Sequence, residues 1–382
     1  MIKYCTNCLY PNTKPDLWFD DNGVCSACIA YENRPEINWK KRKEEFLSII
    51  KKYKTENNYD CVVPVSGGKD SFYQVIKALE YGLKPLCVTA STCSLSKIGE
   101  RNIANLRNLG VDHINVSPDP VLRRKINKFT LTEIGDISWP EHLTMFTTPI
   151  RIAAMFGIKL IFWGENSQNE YGGPAGTEKN NILDRRWLEE FGGLLGLRVS
   201  DLPLAANIPK KDLLLFDYPD DKILKEVGVT GIFIGHYFPW DSIQNMIIAQ
   251  SHGFETYKTH VEGHFLNCEN LDNYQAGIHE YLMFLKYGYG RASAQASMQI
   301  RRKRISRKQA LKVVKKNEGK YPKTYLSKSL EEILNDIDMT IEDFDQVCNR
   351  FTNKKIFLKD NDDNLIKDRF GNLIKTNYDN EV

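Results

Sequence analysis

The residues that most constrain the fold of this chain are 62–71, Val-Val-Pro-Val-Ser-Gly-Gly-Lys-Asp-Ser, where an apolar run passes through two glycines into a polar run. The apolar part predicts a buried strand, and the polar part predicts the first turn of a helix. Two adjacent glycines let backbone N–H groups close around an anion, and a helix N-terminus adds partial positive charge. The pattern predicts an α/β fold with a phosphate site at this turn, and the alternative is an ordinary glycine-rich turn.

The polar residues of this loop suit a phosphate ligand. The residues that we assign to nucleotide binding here are Ser66, Gly67, Gly68, Lys69, Asp70 and Ser71. The two serine hydroxyls can donate hydrogen bonds to phosphate oxygens, and Asp70 can hold Mg²⁺. Lys69 can stabilise the negative charge that develops during a reaction. The spacing differs from that of a Walker A loop, which is Gly-x-x-x-x-Gly-Lys-Ser/Thr.

Four cysteines at the start of the chain form a second motif. Cys5-x-x-Cys8 is followed after sixteen residues by Cys25-x-x-Cys28, which is the spacing of two zinc knuckles. Four thiolates close the coordination shell of Zn²⁺, so the site is predicted to stabilise the fold and not to catalyse. A disulfide or an iron–sulfur cluster is the alternative.

Composition and charge exclude several classes of protein. The 382 residues include 52 basic and 49 acidic side chains, so the net charge of +3 gives no strong attraction to nucleic acid. No stretch approaches the roughly 18 apolar residues that span a bilayer, and the N-terminus has no apolar leader segment. We therefore expect a cytoplasmic protein that binds neither membrane nor nucleic acid.

Apolar strand patterns and amphipathic helix patterns alternate from residue 60 to residue 116. This βαβαβ pattern predicts a doubly wound parallel sheet, in which ligands bind at the carboxyl ends of the strands. We expect Thr89, Ala90 and Ser91, which follow the second strand, to line an adenosine slot. Gly164 and Glu165 follow a later strand and could bind Mg²⁺, ribose or substrate, unless this polar segment is only a solvated loop.

The rest of the chain is less informative. A strand at 260–264 would place His260, Glu262 and His264 on one face, as polar edge residues or, less favourably, as a metal site. Basic residues at 301–308 indicate a solvated helix face or a grip on nucleotide or RNA phosphates. We predict a zinc module at 1–36, a nucleotide-binding domain at 37–273, and a helical region with a short terminal hairpin at 274–382.

These motifs resemble known enzymes. The loop at 66–71 is similar to the pyrophosphate loop (PP-loop) of ATP pyrophosphatases, which include GMP and NAD synthetases and tRNA thiolases. Together with the four cysteines and the segments 163–166, 237–241, 278–281 and 286–291, it makes nearly the whole chain resemble the N-acetyl-sugar amidotransferases of bacterial O-antigen and flagellin glycan pathways.

The resemblance implies an ATP-dependent reaction with Mg²⁺, in which AMP is transferred to the acetamido oxygen of a nucleotide sugar or sugar acid. Ammonia from a separate glutaminase subunit then displaces AMP and gives an acetamidino sugar. Lys69 and Asp70 would act at the phosphates, and Glu165 and His279 are the candidate general bases. The alternative is a PP-loop enzyme that thiolates tRNA. The modest net charge disfavours it, as does the lack of a Cys-x-x-Cys pair in mid-chain in addition to the N-terminal ones.

Overall fold

The computed structural model of the protein describes residues 2–164, 182–183 and 193–376. Its strands are β1 (Cys61–Pro64), β2 (Pro85–Ala90), β3 (Asp112–Val116), β4 (Leu160–Trp163), β5 (Ile182–Leu183), β6 (Thr230–Phe233), β7 (Thr324–Tyr325) and β8 (Lys328–Ser329). Its helices are α1 (Ser26–Glu32), α2 (Trp39–Tyr53), α3 (Lys69–Glu80), α4 (Lys97–Arg107), α5 (Pro120–Ile134), α6 (Trp139–Met155), α7 (Leu202–Ala205), α8 (Asp221–Val227), α9 (Ser242–Gln250), α10 (Ala276–Tyr287), α11 (Arg291–Arg301), α12 (Arg307–Asn317), α13 (Leu330–Asn335) and α14 (Ile341–Phe351).

The central sheet has the strand order β3-β2-β1-β4-β6-β5. The first five strands of this order are parallel, and β5 pairs antiparallel with β6 at the edge. The predicted doubly wound parallel sheet is therefore confirmed. The antiparallel edge strand was not predicted, because two residues are too short to produce a periodic pattern.

Helices cover both faces of the sheet. Val62 packs in one apolar cluster with Ile150 and Ala153 of α6, whereas Val63 packs in another with Phe72 of α3. Successive strand residues point to opposite faces, so a strand that is covered on both sides must be apolar at consecutive positions. This requirement explains the uninterrupted apolar run that precedes the loop.

The strand order changes direction beside β1. The chain moves from β1 to β2 and β3 on one side, and later to β4 and β6 on the other. The loop at 66–71 and Gly164 follow the two strands at this switch point, which is where parallel α/β sheets bind ligands. The sheet thus brings two of the predicted polar segments to the same edge.

The C-terminal region is mainly helical, as predicted. Its tail contains two successive bridged turns in place of one hairpin. Asp360 accepts hydrogen bonds from the N–H groups of Asp362 and Asn364, and eight residues later Asp368 caps an equivalent turn. The predicted boundaries between the units 1–36, 37–273 and 274–382 stay a prediction.

The predicted strand at 260–264 is wrong. These residues form turns, and Gly263 has a φ of +78°, which a regular strand does not accommodate. His264 is fully buried and so is not an edge residue. Across the described ranges, no helix is long and apolar enough to cross a membrane.

Candidate active site

The loop at 66–71 has the geometry of a compact anion site. Gly67 has a φ of +81°, and a Cβ there would lie about 3.0 Å from the Ile103 backbone nitrogen, so the turn requires glycine. The Ser66 N–H donates a hydrogen bond to the Ser71 hydroxyl at 3.1 Å, which closes the loop. Helix α3 begins directly after Gly68, so its first N–H groups face the space inside the loop.

Lys69 is buried between two carboxylates. Its Nζ lies 2.6 Å from Asp70 Oδ2 and 3.5 Å from Glu269 Oε1. Burial alone would lower the pKa of Lys69, but the Asp70 and Glu269 carboxylates outweigh burial and raise it. Lys69 is therefore a fixed positive charge beside the loop.

Asp70 is held by a helix far along the chain. The amide of Asn245, on α9, donates to Asp70 Oδ1 at 2.9 Å. Helix α9 is itself capped by Asp241, whose carboxylate accepts hydrogen bonds from Arg302 and Arg304 at 2.6 Å. Part of the predicted basic surface at 301–308 therefore pairs with an internal carboxylate and fixes the helix that orients Asp70.

A segment at 268–272 forms the opposite wall of the loop cavity. Glu269, which is 8% exposed, accepts hydrogen bonds from Ser242 at 2.6 Å and Gln295 at 2.8 Å, and Arg291 Nε lies 3.2 Å from it. Burial alone would raise the pKa of Glu269, but Lys69 and Arg291 outweigh burial and lower it. The cavity has a volume of about 120 Å³ and lies between residues 66–70, Asn102, 268–272 and Arg291. We call it the loop cavity.

Asp272 completes this wall and packs closely against α4. A Cβ on Gly99 would lie 2.8 Å from the Asp272 Cα, so only glycine allows this approach. The Ser96 N–H donates to the Asp272 carbonyl at 2.9 Å. Burial raises the pKa of the Asp272 carboxyl, and a hydrogen bond from Ser66 partly opposes this rise. The loop cavity is thus bounded by acidic as well as basic groups.

The predicted adenosine slot lies at the carboxyl end of β2. The Thr89 hydroxyl donates to the Val65 carbonyl at 2.6 Å and lies 2.8 Å from His113 Nε2, so it links three strands. Ala90 ends the strand, and the Ser91 N–H donates to the Val116 carbonyl at 2.9 Å. The segment is therefore at the predicted edge, but the Thr89 hydroxyl is already engaged.

Gly164 lies at the carboxyl end of β4. A Cβ there would lie 3.1 Å from the Trp240 ring and 3.3 Å from Gln74 Nε2, so the close packing of these side chains favours glycine. Its carbonyl accepts a hydrogen bond from the Gly235 N–H at 3.0 Å. Glu165, the other candidate in this segment, lies outside the described residues.

His279 belongs to a polar cluster between α5, α6 and α10. Its Nδ1 lies 2.7 Å from Asp136 Oδ1, which also accepts a hydrogen bond from the Ser138 N–H. The ring of His142 is perpendicular to that of His279, with centroids 5.0 Å apart. Both histidine side chains are just over a quarter exposed, whereas Asp136 is buried. The cluster is therefore an open pair of imidazoles on a buried carboxylate.

The two histidines differ in their protonation behaviour. Burial alone would lower the pKa of His279, but the Asp136 carboxylate outweighs burial and raises it. Burial lowers the pKa of His142, since there the Asp136 carboxylate only partly opposes burial and the nearby His279 adds to the decrease. Pairs of groups whose surroundings move their pKa values apart are typical of acid–base sites.

The four N-terminal cysteines form a closed cluster. Their Sγ atoms lie within 4.8 Å of one another, and each residue is at most 1% exposed. The Cys8–Cys25 and Cys5–Cys28 Sγ distances are 3.6 and 4.0 Å, close to the roughly 3.8 Å edge of a tetrahedron with 2.3 Å Zn–S bonds. Backbone N–H groups of Cys8 and Cys25 donate to Cys5 Sγ. The residues present therefore fit a structural Zn²⁺.

Several residues of the site were missed in the sequence. Asn245 contacts a residue 175 positions away, and Asp136 contacts one 143 positions away, so no local pattern connects them. Glu269 and His142 lie in segments without a recognisable motif. One signal was available for Arg291, which lies in the segment 286–291 that carries the family resemblance.

Comparison with known proteins gives matches to parts of the chain. Residues 252–371 match the family described as LPS biosynthesis protein WbpG-like, C-terminal domain. An uncharacterized protein of Methanocaldococcus jannaschii is 25% identical over 177 residues, which cover 42% of this chain and 58% of that protein. The chain thus spans little more than half the length of this curated relative.

Solved structures overlap with about half of the chain. The match to NMN synthetase from Francisella tularensis covers 50% of this chain and 92% of the synthetase chain, at 13% identity and a TM-score of 0.27. The match to NH₃-dependent NAD synthetase from Campylobacter jejuni covers 59% of this chain and 100% of the synthetase chain, at 14% identity and a TM-score of 0.29. A predicted subunit of tRNA methyltransferase from M. jannaschii covers 47% and 93%, at 18% identity and a TM-score of 0.23.

The family match includes the segment that supplies Glu269, Asp272 and Arg291 to the wall of the loop cavity. Residues 252–371 are therefore similar to the WbpG-like C-terminal domain family, in agreement with the resemblance predicted from the sequence.

Proposed function

We propose that the protein is an ATP-dependent amidotransferase that converts the acetamido group of an N-acetylated nucleotide sugar or sugar acid into an acetamidino group. The observation that carries the proposal is the loop at 66–71, which brings a glycine turn, the start of α3 and buried Lys69 to one cavity. The match to a family named for LPS biosynthesis supports a sugar as the substrate.

In this proposal the pyrophosphate portion of ATP occupies the loop cavity. Gly67, Gly68 and the first turn of α3 donate N–H groups to its oxygens, and Lys69 balances the charge that develops on pyrophosphate. Asp70 borders the cavity and would hold Mg²⁺, which would neutralise phosphate charge when bound. Thr89, Ala90, Ser91 and Gly164 border the expected position of the nucleoside.

The chemistry follows from the weak electrophilicity of an amide. The acetamido oxygen attacks the α-phosphorus of ATP, the bond from that phosphorus to the bridging oxygen breaks, and pyrophosphate leaves. Ammonia then attacks the resulting O-adenylated imidate carbon, and one proton is lost from the added nitrogen. The C–O bond breaks, AMP leaves with the oxygen of the former amide, and the amidine remains. The residues around the loop contribute by positioning and charge stabilisation.

A general base is needed to take the proton from the added nitrogen. We propose His279, which Asp136 orients through Nδ1 so that Nε2 is the atom that exchanges protons. Glu165 is the second candidate.

The proposal includes a separate glutaminase subunit that delivers ammonia near the carboxyl edge of the sheet. The chain has no Gly-x-Cys-x-Gly elbow of the kind that a triad glutaminase uses. The purified chain should therefore use high concentrations of ammonium but not glutamine. Glutamine-dependent product from the purified chain alone would refute the two-subunit arrangement.

The test is nucleotide analysis of the purified chain incubated with ATP, Mg²⁺, ammonium and a panel of N-acetylated nucleotide sugars. We expect AMP and pyrophosphate in equal amounts, and a product whose mass corresponds to replacement of oxygen by NH. The Asp70→Asn variant is the matched control. ADP as the product, or pyrophosphate release that no sugar stimulates, would contradict the proposal.

A PP-loop enzyme that thiolates tRNA is the alternative outcome, and stimulation of pyrophosphate release by tRNA would support it. The basic segment at 301–308 gives this alternative little support. Arg302 and Arg304 pair with Asp241, and Arg307 donates to the carbonyls of Cys5 and Cys8. These charges are already used inside the protein.

A further inference from the structure

A second cavity lies within the WbpG-like domain. We call it the C-terminal cavity; its volume is about 210 Å³, and it lies between α10, the start of α11 and residues 317–325. Ligand pockets for drug-sized molecules usually have volumes of about 300–1,000 Å³. The C-terminal cavity is therefore suited to a group no larger than about one sugar ring or nucleobase.

Aromatic side chains form much of its wall. Tyr281, Phe284, Tyr321 and Tyr325 line it, and the rings of Tyr281 and Tyr321 meet edge to face with centroids 5.7 Å apart. Ring faces of this kind bind the apolar face of a sugar or stack on a base, and tyrosine adds a polar group. The wall therefore favours a ligand that contains a ring.

Two lysines of the cavity lining are available to bind an anion. The three carboxylates of the lining already have partners. Glu262 accepts hydrogen bonds from Thr324 and the Leu326 N–H, and Glu280 lies 2.9 Å from His264 Nε2. Glu318 accepts hydrogen bonds from the N–H groups of Gly290 and Ser293. The exposed side chains of Lys320 and Lys323 line the same cavity, and neither has an ion-pair or hydrogen-bond partner among the residues that the structure describes.

Arg291 joins this cavity to the pyrophosphate loop. It lines both cavities, and its Nε lies 3.2 Å from Glu269, the carboxylate that faces Lys69 at 3.5 Å. An anion in the C-terminal cavity competes with Glu269 for Arg291. Glu269 would then attract Lys69 more strongly and draw it away from the phosphates in the loop.

The C-terminal cavity is separate from the His279 cluster. Gly277, Glu280 and Tyr281 line it from one side of α10, whereas His279 contacts Asp136 in the connection between α5 and α6. We propose that the C-terminal cavity binds a ring-bearing anion, such as a phosphorylated or acidic sugar or a nucleotide, and that Arg291 couples this binding to the pyrophosphate loop. The proposal goes beyond the amidotransferase reaction, since it concerns a second site whose occupancy is measured without turnover.

The test is equilibrium binding to the full chain without ATP. The probes are UDP-N-acetylglucosamine, N-acetylneuraminic acid, UMP and inorganic phosphate. We expect at least one ring-bearing probe to bind, with phosphate much weaker. The double variant Lys320→Ala/Lys323→Ala should weaken that binding about tenfold, because two exposed charge contacts are lost. The matched control is Lys308→Ala/Lys312→Ala, which removes two exposed lysines of α12 that are outside the cavity lining.

Equal affinity of both double variants for every probe would overturn the proposed site, as would phosphate binding as tightly as the ring-bearing probes. Coupling is measured by comparing the dissociation constant of MgATP with and without a saturating concentration of the probe. We expect the probe to raise this dissociation constant at least about fivefold. An unchanged constant would overturn the role of Arg291. The Asp70→Asn variant should still bind the probe, so failure of the amidotransferase proposal alone leaves this binding intact.

Discussion

The loop at 66–71 and the four-cysteine cluster are both encoded by short motifs, yet their relation to solvent is opposite. The loop faces a cavity, and the Asp70 side chain is one-third exposed at its border. The cysteine side chains are buried, and the N–H groups of Cys8 and Cys25 donate hydrogen bonds to Cys5 Sγ. The comparison shows that an open set of polar groups serves a ligand that must enter and leave, whereas a closed set serves the fold.

The two regions are connected by α11. The Leu9 N–H donates to Ser297 at 3.2 Å, and the ring of Tyr10 contacts that of Tyr289 just before the helix. Helix α11 begins with Arg291, which pairs with Glu269 in the wall of the loop cavity. The closed cluster therefore supports one wall of the open site, and variants can separate the two roles.

Loss of the zinc site should have the largest effect. In Cys28→Ser, or after chelation, the N-terminal module should unfold, because metal binding contributes about 10 kcal/mol or more in small zinc domains. Limited proteolysis should cut within residues 2–32 before the sheet, and activity should fall as α11 loses its support.

The control is Cys93→Ser, a half-buried cysteine outside the cluster, which should retain both metal and resistance to protease. Absence of zinc from the freshly purified protein, or iron in its place, would show that the cluster is not a structural zinc site.

The Glu269→Gln variant should have the next largest effect, because it removes the buried carboxylate that Lys69 and Arg291 share and leaves Lys69 paired with Asp70 only. Removing one partner of a buried ion pair costs about 3–5 kcal/mol. We expect a lower free energy of unfolding, and MgATP should raise the melting temperature of the variant more than that of the wild type.

The pH dependence provides a further check on Glu269. Since the pKa of Glu269 is lowered in the folded state, its contribution to stability is present above the ordinary glutamate pKa and is lost as pH falls. The stability difference between wild type and Glu269→Gln should therefore narrow in acid. A constant difference at every pH would contradict the charge argument.

Changes within the loop should reduce activity far more than stability. Asp70→Asn and Ser71→Ala should each lower AMP formation by a factor of about 10² or more, because each removes a charge or phosphate contact of the reaction. Both variants should stay folded with somewhat lower melting temperatures, because Asp70→Asn removes the carboxylate 2.6 Å from Lys69 Nζ and Ser71→Ala removes the acceptor of the Ser66 N–H. Asp221→Asn, an exposed residue of α8, is the matched control and should keep full activity. A wild-type rate in Asp70→Asn would contradict the assignment of this loop.

Asp136→Asn should have the smallest effect, a shift of the pH–rate profile. The neutral form of His279 is needed for a base, so activity should rise as pH passes its raised pKa. Loss of the Asp136 carboxylate should lower the pKa of His279 and move the rising limb of the profile to lower pH. A reduced rate with no shift of the rising limb of the pH–rate profile would show that the Asp136–His279 pair has only a structural role.

The sequence predicted the parts of the site that depend on neighbouring residues. The glycine turn, the start of α3 and the spacing of the cysteine pairs are set by backbone geometry over a few positions, and the alternation of apolar segments predicted the sheet. It failed where a local pattern had two interpretations. The segment at 260–264 alternates like a strand, but Gly263 turns the chain and places His264 in the core.

What the sequence alone determined is the loop, the four-cysteine motif and the class of fold, because each is encoded by short-range spacing and periodicity. Only the tertiary structure decided which charges meet. Glu269 contacts Lys69 from about 200 residues away, and Asp136 contacts His279 across 143 residues. An aspartate or glutamate is written with the same letter in the sequence whether its carboxylate is buried or solvated. Its partner and its pKa are fixed only when packing excludes water from around it.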